Sequence, residues 1–75
     1  MIRRAVLIKR TTDDGLVEIK DHIALGKVYQ VEENTIRMAV GLNTEHNKPW
    51  LRLIVDVIDD EKNLMWFPTE LLRIE

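Results

Sequence analysis

The sequence lacks both cysteine and serine, and it has only three glycines and two prolines in 75 residues. Without cysteine, the chain forms no disulfide and offers no thiolate ligand to a metal ion. Without serine, threonines are the remaining aliphatic hydroxyl nucleophiles, and none has a histidine at motif spacing. The absence of cysteine is also typical of a reducing compartment, so we expect a cytoplasmic protein.

Long apolar runs are absent as well. No run approaches the roughly 18 residues of a membrane-spanning helix, so we expect no membrane association. The first apolar segment, Ala5 to Ile8, is shorter than the roughly 7-residue core of a signal peptide. At this length the chain is expected to form a single domain over residues 1–75.

Patterns that support catalysis are missing too. The two histidines, His22 and His46, are far apart and do not have metal-ligand spacing. The three glycines do not form a phosphate-binding loop. The acidic clusters fall at predicted turns, where water screens them. We therefore expect no metal, no cofactor and no enzymatic activity.

Charge is divided unevenly along the chain. Residues 1–31 carry six basic and four acidic side chains (+2), whereas residues 32–75 carry five and nine (−4). Nucleic-acid-binding domains usually have a net basic charge, so a nucleic-acid partner is not the first expectation. It remains an alternative, in which a small barrel would contact nucleic acid through the basic residues near the N-terminus: Arg3, Arg4, Lys9 and Arg10.

The pattern that is present is the alternation of β-strands. It predicts a first strand over Arg3–Arg10, a strand whose Tyr29 and Val31 face inward, and two successive hairpins over residues 36–58 and 51–67. Segment Leu16–Ile19 is either a short strand or part of a long irregular loop. Asp56 is expected to face outward and to pair with Arg37 or Arg52.

The segment "NLMWFPTELLRIE" closes the chain. Because neighbouring residues on a strand face opposite ways, we predict that Phe67 is buried and that Trp66 is on the surface. Pro68 cannot donate a ladder hydrogen bond, so the strand should end there. A short 3₁₀ turn and a last short strand are then predicted, with a C-terminal helix over residues 69–75 as the alternative.

Two segments carry a resemblance to a known family. They are "LGKVYQV" (Leu25–Val31) and "IVDVIDDEKNLMWFPTELLRIE" (Ile54–Glu75), which resemble small bacterial and phage-borne SH3-like proteins. The resemblance implies an all-β fold: a small five-stranded SH3-like barrel with a short 3₁₀ turn before the last strand. It implies no particular function. Because the start "RAVLIKR" has no aromatic residue, we do not expect recognition of proline-rich peptides.

The strand "WLRLIVDVI" provides the candidate interface. Its odd positions, Leu51 to Val57, are predicted to face the core. Its other face carries apolar side chains where alternation predicts polar ones, and with an outward Trp66 these form the candidate interface: Trp50, Ile54, Ile58 and Trp66. In the alternative, the segment 1–35 folds over this face and makes it a second core.

These patterns predict a non-catalytic protein-interaction or structural module. We expect it to bind another protein or itself, with a homodimer as the simplest form. A further alternative is an accessory subunit of a larger enzyme.

Overall fold

The computed structural model describes residues 1–20 and 22–75 and shows an all-β chain. Its six strands are β1 (Ile2–Leu7), β2 (Val28–Glu32), β3 (Arg37–Asn43), β4 (Lys48–Ile58), β5 (Leu64–Pro68) and β6 (Leu72–Ile74). Short 3₁₀ turns cover Glu33–Thr35 and Thr69–Leu71. The predicted all-β class is confirmed, but the described residues form six strands in an open sheet, where a five-stranded SH3-like barrel was predicted.

All strand pairs are antiparallel, and the sheet is not closed. The strand order is β3-β4-β2-β1-β6, and β5 pairs with β4 outside this path. β4 changes partners along its length: its first part pairs with β3 as far as Ile54, and its last part pairs with β5 and β2. The two predicted hairpins, β3–β4 and β4–β5, are confirmed.

The core lies between β1, β2, the second half of β4, β5 and the C-terminal segment. Tyr29 and Phe67 meet edge to face at its centre, with ring centroids 5.3 Å apart. Ten buried residues form the cluster: Ala5, Leu7, Ile19, Tyr29, Val31, Val55, Val57, Phe67, Leu71 and Leu72. The inward orientation of Tyr29 and Val31 is confirmed. Phe67 is 4% exposed and Trp66 is 44% exposed, so that prediction is confirmed as well.

A long loop, described over residues 8–20 and 22–27, connects β1 to β2. Within it, Leu16–Ile19 is not a strand; the loop forms one isolated bridge, between Thr11 and Glu18. Val17 and Ile19 are nevertheless buried. The loop is therefore anchored on the sheet by side-chain burial rather than by a continuous ladder.

The C-terminal segment forms a 3₁₀ turn and a strand, so the alternative of a helix over residues 69–75 is wrong. Pro68 ends β5, and the turn follows immediately. β6 pairs with β1, with Leu72 opposite Leu7. Because Leu71 and Leu72 are buried, this segment completes the core.

Asp59 organises the turn between β4 and β5. Its Oδ1 accepts hydrogen bonds from the backbone N–H groups of Glu61 (2.9 Å) and Asn63 (2.8 Å). Its Oδ2 accepts one from the Asn63 side-chain amide at 3.0 Å. Hydrogen bonds from the Asn63 side chain and backbone lower the pKa of the Asp59 carboxyl below its ordinary value, because they stabilise the ionised form.

We expect Asp59→Asn to reduce stability at neutral pH and to reduce the acid sensitivity of folding. A carboxyl with a lowered folded-state pKa contributes fully above its unfolded value of about 3.9 and loses that contribution as the pH falls through the folded value. Urea unfolding of wild type and variant from pH 7 down into the acid range measures this. The stability difference should shrink below about pH 4, whereas Asp60→Asn should behave as wild type throughout. A difference that is independent of pH would contradict this role of Asp59.

Candidate functional site

The residues that were considered for chemistry do not come together. In the described residues, 1–20 and 22–75, no three His, Cys, Asp or Glu side chains form a group that could hold a metal ion. His22 and His46 are exposed and lie in different loops. No helix in the same part of the chain is long and apolar enough to span a membrane. The search for a functional site therefore turns to the surfaces of the sheet.

The predicted interface residues share one face of the sheet but do not form an exposed row. Trp66 lies opposite Asp56, so its side chain is on the same face as the even-numbered residues of β4. Ile54 is only 4% exposed, whereas Trp50 and Ile58 are half-buried. The expectation that Ile54 faces solvent is wrong, and Trp66, at 44%, is the most exposed of the four.

The loop between β1 and β2 covers part of this face. The side-chain amide of Asn43 donates a hydrogen bond to the carbonyl of Leu16 at 2.8 Å. Arg52 forms ion pairs with Asp14 of the loop and with Glu70, the latter at 2.7 Å. The alternative, in which the N-terminal segment folds over this face, therefore agrees better with the structure.

The two tryptophans pack beside each other on the covered face. Their ring centroids are 6.0 Å apart, and the Trp50 indole lies so close over Gly41 that a Cβ there would overlap it. Trp66 remains accessible along a cleft of about 360 Å³, whose apolar lining comes from the loop and from β5: Val17, Ile19, Ile23, Met65, Phe67 and Pro68. Of the four predicted interface residues, Trp66 is the one that lines this cleft.

Asp56, on the same face, pairs with Arg37 at 3.1 Å across the β3–β4 ladder. This is one of the two pairings that alternation predicted. Arg52, the other predicted partner, is instead engaged by Asp14 and Glu70. The charges on this face are thus largely paired among themselves.

The opposite face of the β3–β4 hairpin is apolar and open. Met38 lies opposite Leu53 and Val40 lies opposite Leu51, so these side chains are neighbours. Their exposed fractions range from 47% for Leu53 to 76% for Val40. With Leu42, they form what we name the hairpin face: Met38, Val40, Leu42, Leu51 and Leu53.

The hairpin face continues the core side of β4 beyond the core itself. Val55 and Val57 are on the same side of the strand and are fully buried, as predicted. Leu51 and Leu53 were also predicted to be buried, and that prediction is wrong. Among the described residues, β2 and β5 flank only the second part of β4, so the first part pairs with β3 alone and its odd-numbered side chains have no layer over them.

The basic residues of the nucleic-acid alternative are individually engaged. Arg4 pairs with Glu75, and Arg3 lies 3.6 Å from Glu33 and donates to the carbonyl of Glu75. Further along, Lys9 pairs with Asp13 at 3.0 Å, and Arg10 donates to the carbonyl of Lys20. Binding to a phosphate backbone requires a cluster of free basic charge. The pairing of these side chains with acidic residues and carbonyl groups reduces the positive charge that such a cluster would offer.

Comparisons of this chain with models of protein families, with curated proteins and with solved structures return no match.

Proposed function

We propose that this protein is a non-catalytic interaction module that associates with a second copy of itself through the β3–β4 hairpin. The hairpin face is the observation that carries the proposal. Five large apolar side chains lie side by side on two paired strands, and each exposes about half of its surface or more. Contiguous apolar surface of this kind is uncommon on a soluble monomer outside interaction sites.

The energetics support covering this face. Burying a Val, Leu or Met side chain completely contributes roughly 1.5–3 kcal/mol. Because the five side chains are about half exposed, covering them completely would contribute a further free energy on the order of 4–7 kcal/mol. Association itself costs several kcal/mol in lost freedom of motion, so we expect reversible self-association rather than an obligate complex.

A second copy is the partner that the hairpin face fits best. The five side chains carry no charge, so an uncharged surface is complementary to them and a charged one is not. An identical hairpin provides that chemistry, and most soluble oligomers are symmetric homodimers. The two alternatives, an accessory subunit of an enzyme and a nucleic-acid-binding barrel, would place a different molecule on this surface.

The pairing pattern supports an SH3-like architecture for this module. Apart from β3, the strands pair in the order β1–β2, β2–β4, β4–β5 and β1–β6, with the 3₁₀ turn before the last strand. This is the strand, meander, turn and strand order that the resemblance implies. In this interpretation β3 is an addition to the five-stranded unit, and the hairpin that it forms projects from it.

We expect Val40→Lys to abolish self-association without unfolding the chain. Val40 is at the centre of the hairpin face and is the most exposed of its five residues, so a lysine there is solvated in the monomer but opposes an apolar contact. Light scattering over a concentration series should show a mass that rises for wild type and stays monomeric for the variant. Thermal melts verify that the variant is folded.

Leu64→Lys is the matched control, because Leu64 is an apolar strand residue that is 68% exposed outside the hairpin. It should associate as wild type does. A wild-type chain that remains monomeric at every attainable concentration would overturn the proposal, as would equal effects of the two lysine substitutions.

A further inference from the structure

The outer edge of β3 is open along its whole length. Among the described residues, β3 is the terminal strand of the sheet path and pairs only with β4. Its central residues, Met38–Leu42, include no charged residue and no proline. Natural sheets usually protect such edges with lysine, proline, a bulge or a very short strand, because unpaired backbone groups accept further strands.

The other terminal strands in the described part of the chain have such protection. β6 is three residues long and has Arg73 at its centre. β5 ends in Pro68, and the residues of the long loop line the cleft beside it. β3 is therefore the edge most suited to pairing with another strand.

The sequence of β3 is complementary to itself in one antiparallel register. A two-fold axis at Val40 pairs all seven residues of the strand with those of a second copy. It places Val40 opposite Val40, Met38 opposite Leu42, and Ala39 opposite Gly41. At the ends, Arg37 meets Asn43, so no like charges oppose each other, which would be unfavourable on facing strands.

We infer that β3 pairs edge to edge with β3 of a second copy in this register and forms one continuous sheet across the dimer. The inference rests on the proposed function and specifies its geometry. The two-fold axis is perpendicular to the sheet, so both hairpin faces are on the same side. Across the axis Val40 packs beside Val40 and Met38 beside Leu42, so edge pairing covers the β3 side chains of the hairpin face in part, whereas Leu51 and Leu53 of both copies stay exposed.

Face-to-face packing of two hairpins is the competing geometry. In that arrangement the side chains of β4 are as central to the contact as those of β3. In edge pairing, Leu51 on β4 is separated from the second copy by the whole of β3. The two geometries therefore predict different effects of substitutions at Val40 and Leu51: Val40 is in the contact in both, whereas Leu51 is in the contact only in face-to-face packing.

Single cysteine substitutions test the register, because the natural sequence contains no cysteine. Directly opposite residues on antiparallel strands have Cα atoms about 4.5–5.5 Å apart, within the range of a disulfide. Val40→Cys is therefore expected to form a disulfide-linked dimer under mild oxidation. In Met38→Cys, the two cysteines of a dimer would be roughly 13 Å apart along the strands and should not react.

A mixture of Met38→Cys and Leu42→Cys chains should crosslink as heterodimers, since these two positions face each other across the axis. Leu64→Cys, at a position that is 68% exposed but outside the β3–β4 hairpin, provides the rate of random collision. Efficient crosslinking of Met38→Cys alone, or Val40→Cys crosslinking no faster than Leu64→Cys, would overturn the register.

Leu51→Lys separates this inference from the proposed function. Edge pairing predicts that Leu51→Lys still dimerises, whereas Val40→Lys does not, because its lysines would oppose each other directly. If wild type dimerises and Leu51→Lys dissociates it, face-to-face packing is correct and the register is wrong, although self-association stands. If wild type does not dimerise, the proposed function fails first.

Discussion

Phe67→Ala is expected to destabilise this chain strongly. Phe67 is 4% exposed and packs edge to face against Tyr29 at the centre of the core. Removing a buried phenylalanine costs about 3–5 kcal/mol, because the lost burial is added to the cavity that remains. Small domains have a total stability of only about 5–15 kcal/mol, so the variant should be close to unfolding.

Thermal and urea unfolding measure this loss, with Leu64→Ala as the control on the same strand. In a domain of this size, each kcal/mol shifts the melting temperature by about 4–8 °C. Leu64 is 68% exposed, so its truncation should change stability by about 0.5 kcal/mol or less. Similar melting temperatures for the two variants would mean that Phe67 is not a core residue.

The part of the fold that follows from local sequence was predictable. Alternation identified which residues share a face of each strand. The β4–β5 hairpin and the turn and short strand formed by "WFPTELLRIE" were predicted from it. Pro68 contributes most to this success, because a residue without an N–H ends a strand whatever the rest of the chain does. The opposite orientations of Trp66 and Phe67 depend only on the two-residue period of the strand.

Which face of β4 is covered could not be predicted, because it depends on the long loop. Residues 8–27 have little periodicity, and alternation does not indicate where an irregular segment will lie. Asp14 reaches Arg52 and Leu16 reaches Asn43 only in the folded chain. These contacts lie on the Trp50 side of the hairpin, and they left Leu51 and Leu53 on the opposite side without a layer above them.

The length of β4 in the folded chain accounts for the hairpin face. β4 has eleven residues, whereas β2 and β5 have five each. An eleven-residue strand spans roughly 35 Å, which is close to the longest dimension of the molecule, 34 Å. Neighbours of half that length cannot cover it, so apolar residues at one end of such a strand should be expected on the surface.

Gly41→Ala is expected to displace the Trp50 indole and to destabilise the chain by about 1–3 kcal/mol, the usual cost of inserting a methyl group into a packed site. A Cβ at Gly41 would overlap the indole ring, and Trp66 packs beside that ring at 6.0 Å. In a Trp66→Phe background, Trp50 is the one remaining tryptophan. Its fluorescence should then shift to longer wavelength, because the displaced ring becomes more hydrated.

Gly26→Ala is the matched control, since it destabilises by a different mechanism. Gly26 has a φ of 85° and open space around its Cα. An alanine there would not clash with a neighbouring residue, but its positive φ would cost about 1–2 kcal/mol in backbone strain. It should therefore lower the melting temperature while leaving Trp50 emission unchanged. If Gly41→Ala also left the emission unchanged, the indole would not lie over Gly41, and the Trp50 side of the hairpin would be more open than the structure shows.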